Sequence, residues 1–136
     1  MGTDVRKLVA DGYPATNVLG CDLRQEFVDC GYQLYQDKQT CDIHFFTSDI
    51  FDLPYPPHNA ACAQPTQLKE CTKLEDLVGR ITHCYLGAIF HLFDEHTQYV
   101  LALRVASLMR RSPGTVVFGR HESMIEAGEI PTPEYP

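Results

Sequence analysis

The sequence predicts an α/β fold built on a doubly wound parallel sheet, and three observations carry that reading. Short apolar runs alternate with amphipathic stretches along most of the chain. Two of those runs end in an acid, at Asp22 and Asp49, and Gly or Pro separates most elements. Such alternation implies right-handed βαβ crossovers and a sheet covered on both faces.

The elements follow in order. Asp4 to Ala10 reads as the tail of a short helix, stopped by Asp11-Gly12-Tyr13-Pro14, with Gly as a left-handed cap and Pro beyond it. Asn17 to Asp22 is a short apolar run of the kind a buried parallel strand shows. Arg24 to Gln36 carries Phe27, Gly31 and Leu34 on one stripe, with Val28, Tyr32 and Tyr35 beside it, which predicts an amphipathic helix. Ile43 to Phe51 is aromatic and β-branched, hence a strand ending near Ser48-Asp49. Leu53 to Gln67 holds four prolines and no apolar period, so it is a loop. Leu68, Cys71, Leu74, Leu77 and Val78 then mark a helix ending at Gly79, and Ile81 to Leu86 a third strand. Asp94 caps a further helix, whose last turn would carry Arg110 and Arg111 in accord with the helix dipole. Pro113-Gly114 turns the chain into a fourth strand, Thr115 to Gly119. The Pro- and Glu-rich end, residues 122–136, is expected to fray.

Composition narrows the partners. The net charge is −7 and the Lys and Arg residues are scattered, which opposes a nucleic-acid surface. No apolar run approaches the roughly 20 residues that span a bilayer. The opening residues lack an apolar signal core and place Arg6 where a myristoylation signal wants Ser or Thr. A soluble, cytoplasmic protein acting on a small molecule is expected. Six cysteines include no CxxC pair. Cys21 and Cys84 lie in apolar strands, where a thiol behaves as a small hydrophobe. A metal site would have to use His58, Cys62 and Cys71 in the central loop, a scattered set; the reading is no metal.

In a parallel sheet, ligands bind beyond the C-terminal ends of the strands. There Asp22 can accept both ribose hydroxyls of a nucleotide cofactor, and Asp49 can reach the exocyclic amine of an adenine. Taken alone, either acid is more often a cap of a turn or helix. Together, in a βαβαβ series, they point to a cofactor.

With these motifs in view, the chain resembles class I S-adenosylmethionine-dependent methyltransferases. The resemblance rests on Gly2-Thr3-Asp4-Val5-Arg6-Lys7-Leu8, Gly20-Cys21-Asp22-Leu23-Arg24, Thr47-Ser48-Asp49-Ile50-Phe51-Asp52 and Phe90-His91-Leu92-Phe93-Asp94. More narrowly, it is similar to fungal enzymes that methylate carboxyl groups in terpenoid and meroterpenoid biosynthesis. The resemblance covers residues 1–121 and implies a Rossmann-like fold with S-adenosyl-L-methionine as cofactor. It places Asp22 and Leu23 at the ribose, Asp49 and Ile50 at the adenine with Ser48 in the same motif, and Gly2 as the last glycine of a glycine-rich loop. The family's first strand, which lies between the strand ending at Asp22 and the one containing Ile81 to Leu86, and its last two strands would be missing. The expectation is thus a partial domain over residues 1–121, its sheet in two halves with exposed inner edges that a second copy could cover.

Methyl transfer to a carboxylate needs orientation and exclusion of water and no general base. His91 follows the third strand and is the candidate for substrate contact, or for the base if the acceptor is a hydroxyl. A structural role, packed between Phe90 and Leu92, is the alternative for His91, and a structural role is expected of His83. Two other functions stay open. One is a truncated, non-catalytic binding or scaffold protein. The other is a nicotinamide-dependent dehydrogenase, which would want a complete G-x-G-x-x-G loop and has no standard use for Asp49.

Overall fold

Parallel strands and helices alternate as expected, and the strands assemble into two separate pairs. The structure, a computed structural model, describes residues 1–56, 67–122 and 128. The regular elements are α1 (Thr3–Ala10), β1 (Leu19–Asp22), α2 (Gln25–Tyr35), β2 (His44–Thr47), β3 (His83–Gly87), α3 (Glu95–Leu108) and β4 (Val116–Arg120). Strand β1 pairs in parallel with β2, Leu19 opposite His44 and Asp22 opposite Thr47. Strand β3 pairs in parallel with β4, His83 opposite Val116 and Gly87 opposite Arg120. The sheet thus stands in two two-stranded halves, as expected, whereas the expected cover on both faces is missing from the second, whose β4 is exposed throughout.

The first pair is covered on both sides. Residues alternate faces along a strand, so Gly20 and Phe45 share one face and Phe46 the other. Phe45 meets the ring of Tyr32 from α2 edge-on, with centroids 5.7 Å apart. A Cβ on Gly20 would collide with the Phe45 ring, which explains glycine in the middle of a strand. On the opposite face Phe46 joins Leu53, Cys71, Leu74, Leu77 and Leu108 in the main hydrophobic cluster. That cluster also ties the first pair to α3, which carries Leu108.

The second pair is barely covered. Every residue of β4 is exposed, and Val116, Val117 and Phe118 are all open to solvent. Phe118 leans on Tyr85 with ring centroids 5.5 Å apart.

Several boundaries depart from expectation for identifiable reasons. The run Leu68 to Val78 is two 3₁₀ turns, Leu68–Glu70 and Leu74–Leu77, and no α-helix. The Asp76 carboxylate accepts from the Thr72 and Lys73 N–H groups at 2.9 and 3.3 Å, which competes with a continuous helical ladder. Strand β2 stops at Thr47, and Ile50–Asp52 forms a 3₁₀ turn capped by Asp49. Helix α3 begins as expected, Asp94 Oδ1 accepting from Thr97 N at 2.7 Å. It ends at Leu108, because Met109 turns extended and bridges Ile81, so Arg110 and Arg111 lie outside its last turn. In α2 the buried residues are Val28 and Gly31, while Phe27 and Leu34 of the expected stripe are exposed. Gly31 is buried because the Met1 carbonyl oxygen sits where its Cβ would be. Helix α1 stops as foreseen, with Gly12 at φ 102°. The expected tail, apart from residues 122 and 128, and most of the proline-rich loop lie outside the described residues.

Candidate functional site

The C-terminal ends of the strands concentrate the polar chemistry. Asp22 closes β1, and its carbonyl accepts from Ser48 N at 3.1 Å, carrying the parallel pairing one step past β2. The Asp22 Oδ1 accepts from Arg24 N at 3.1 Å, and Asp49 Oδ1 accepts from Phe51 N at 2.8 Å. Both acids thus make the turn-capping bonds their side chains favour. The bond fixes the rotamer of each carboxylate yet uses only one of its oxygens. Among the described residues Oδ2 of neither acid has a hydrogen-bond partner. Two rigidly held acceptors at neighbouring strand ends can receive the hydroxyls or amine of a polar ligand.

The other predicted residues divide by role. Leu23 is 64% exposed beside Asp22, open to a ligand. Ile50 packs against the main cluster and supports the turn after Asp49. The Ser48 hydroxyl accepts from Leu74 N at 3.3 Å, which fastens the 74–77 turn to the end of β2. Gly2 caps α1 in the left-handed region at φ 88°, a conformation that glycine adopts without strain. The Met1–Gly2 turn lies against β1 and α2, with Met1 Cε 3.1 Å from where a Gly20 Cβ would stand. Gly2 is thereby brought beside the strand that ends at Asp22.

His91 lies in the 3₁₀ turn Phe90–Leu92, which follows β3. It is half-buried, and its Nδ1 accepts from Glu122 N at 3.1 Å, so it engages the segment after β4. Ala88, His91, Arg120, His121 and Glu122 line a cavity of about 350 Å³ there. Arg120 and His121 were not singled out from sequence, although the end of β4 is the place where the strand-end rule would have looked for them. Ala88 holds φ 57° and donates to Arg120 O at 2.7 Å, a left-handed conformation that costs a non-glycine residue on the order of 1 kcal/mol. The two strand ends meet where Phe51, after β2, packs edge-on to Phe93, after β3, with centroids 5.2 Å apart. His83 is exposed at the start of β3, the end opposite the cavity, and its Nδ1 hydrogen-bonds the neighbouring Thr82 hydroxyl.

Cys21 is exposed and Cys84 half-buried, so neither strand thiol lies in the core; among the described residues the fully buried cysteine is Cys71. Burial pushes the Cys41, Cys71 and Cys84 thiols above their ordinary range, so none is prepared as a thiolate nucleophile. His58 and Cys62 lie outside the described residues. Among the described residues no group of three or more His, Cys, Asp or Glu side chains is arranged to hold a metal, and no helix is long and apolar enough to cross a membrane.

Comparison with known proteins points to methyltransferases of fungal secondary metabolism. The chain is 32% identical over 133 residues to O-methyltransferase phiE from Fungal sp. (strain ATCC 74256), covering 98% of this chain and 39% of that protein. It is 33% identical over 130 residues to O-methyltransferase atr3 of Stereocaulon alpinum, covering 96% of this chain and 33% of the relative. The Asnovolin E/Chermesin D methyltransferase nvfJ of Aspergillus novofumigatus is 29% identical over 119 residues, 88% of this chain and 37% of its own length. The chain therefore spans between a third and two fifths of the length of the curated relatives it matches. No protein-family model and no solved structure matches it.

Proposed function

We propose that residues 1–121 form part of an S-adenosylmethionine-dependent methyltransferase domain, and that Gly2, Asp22, Leu23, Ser48, Asp49 and Ile50 belong to its cofactor site. The observation that carries this reading is the pair of oriented carboxylates at adjacent parallel strand ends. Asp22 would accept the ribose hydroxyls through Oδ2, and Asp49 the adenine amine. Gly2 would let backbone approach the cofactor closely. Leu23 offers an apolar surface beside the ribose, while Ser48 and Ile50 hold the Asp49 turn.

When bound, the cofactor supplies an electrophilic sulfonium methyl. The chain's own task is orientation and removal of water. The acceptor is a carboxyl or hydroxyl group on a small terpenoid or polyketide-derived molecule. A carboxylate attacks without a base; for a hydroxyl, His91 would take the proton on Nδ1, the ring nitrogen whose lone pair accepts from Glu122 N, once that bond opens. The remainder of the sheet would come from strands filling the gap between β1 and β3 and extending beyond this stretch. A second copy covering the open edges would make a homodimer.

A non-catalytic binding role is the second reading, favoured by the separation of the sheet into two pairs. Isothermal titration with S-adenosylmethionine distinguishes the two. Binding that weakens on Asp22→Ala and Asp49→Ala is expected; absence of heat at millimolar ligand would remove the catalytic reading. Tight binding of NAD instead would favour a dehydrogenase.

A further inference from the structure

One cluster of polar and aromatic side chains lies outside the residues assigned above. The Arg6 guanidinium is enclosed, its side chain 10% exposed, and it engages three parts of the chain at once. Its Nε and Nη2 donate to Asp37 Oδ2 and Oδ1 at 2.7 and 3.0 Å, a bidentate pair reaching the loop after α2. Its Nη1 points the other way and donates to the carbonyls of Met1 at 3.2 Å and Gly2 at 3.4 Å. The rings of Tyr35, Phe45 and Tyr32 flank it, their centroids 4.8, 4.9 and 5.5 Å from Cζ. The Tyr35 hydroxyl donates to Thr3 Oγ1 at 2.8 Å and closes the same side.

Gly2 has no side chain with which to hold its left-handed conformation, and the turn must be held by what surrounds it. A Cβ at Gly2 would collide with Arg6 Nη1 and stand 2.9 Å from Phe45 Cζ, so the arginine and the phenylalanine occupy the space glycine leaves. The planar guanidinium can make a fork to a carboxylate and donate on its other edge together; an ammonium cannot. We propose that Arg6, anchored by Asp37, is a positioning residue that fixes the Met1–Gly2 turn for cofactor binding. The inference rests on the assignment of Gly2 to the cofactor site.

The test measures amide hydrogen exchange without cofactor and S-adenosylmethionine affinity by titration, in the wild type, Arg6→Lys and Asp37→Asn. Both variants should exchange faster over residues 1–8 and bind on the order of tenfold more weakly, while exchange over residues 83–87 stays unchanged. The exposed Lys7→Gln variant should match the wild type in both. Unchanged exchange over residues 1–8 overturns the latch. Faster exchange with wild-type affinity shows that the latch positions nothing the cofactor needs, and overturns the inference equally. Loss of binding in the wild type itself would remove the cofactor reading, and this inference with it; the exchange data tell that case from a failed latch.

Discussion

The two strand pairs share parallel pairing and similar length, yet they are stabilised in different ways. In β1–β2, Phe45 locks into the space over Gly20 on one face while Phe46 enters the main cluster on the other. A slip in register would move each ring to the wrong face. In β3–β4, backbone bonds and the Tyr85–Phe118 contact hold the pair, and β4 is exposed throughout. Hydrogen-bonded pairing alone is thus compatible with very different degrees of burial. The side chains above and below a strand decide how firmly it is held.

The largest loss is expected in the core. Leu53, 1% exposed, should lose about 2–5 kcal/mol on Leu53→Ala, read as a fall in denaturation midpoint. Next, Gly31→Ala sets a Cβ against the Met1 carbonyl and should cost about 1–3 kcal/mol, since backbone must shift to admit it. A smaller effect is expected from acid. The Arg6 guanidinium holds the Asp37 carboxyl below its usual range, chiefly through their hydrogen bond. That stabilisation is complete above the unfolded carboxylate pKa, about 3.9, and disappears as pH falls through the depressed folded value. Urea titrations of wild type and Asp37→Asn should accordingly converge at the acid end. Smallest of all, Val117→Thr on β4 should stay within about 0.5 kcal/mol, because its side chain is already in solvent. A large loss there would show that the second pair is covered by something and would dissolve the contrast.

Much of this was legible in the sequence where the signal is local. The Asp94 cap, the Gly12 stop and the acids after β1 and β2 all act within a few residues of themselves. The 68–78 stretch misled because its apolar spacing fits a helix, while a single carboxylate, Asp76, takes the backbone N–H groups of Thr72 and Lys73. The end of α3 misled for a tertiary reason, the bridge from Met109 to Ile81, 28 residues earlier. Arg6 shows the limit most clearly. Its principal partner lies 31 residues away, and nothing in the opening residues distinguishes it from a solvated arginine. Arg120 and His121 come to His91 only through the pairing of β3 with β4.

Titration followed at the backbone amides shows where S-adenosylmethionine binds. Amide shifts recorded during titration with S-adenosylmethionine should move at Gly2 to Asp4, Asp22 to Arg24 and Asp49 to Phe51, and leave Val116 to Phe118 in place. Shifts confined to β3 and β4, or none at saturating ligand, would contradict the assignment of Asp22 and Asp49 to a cofactor site.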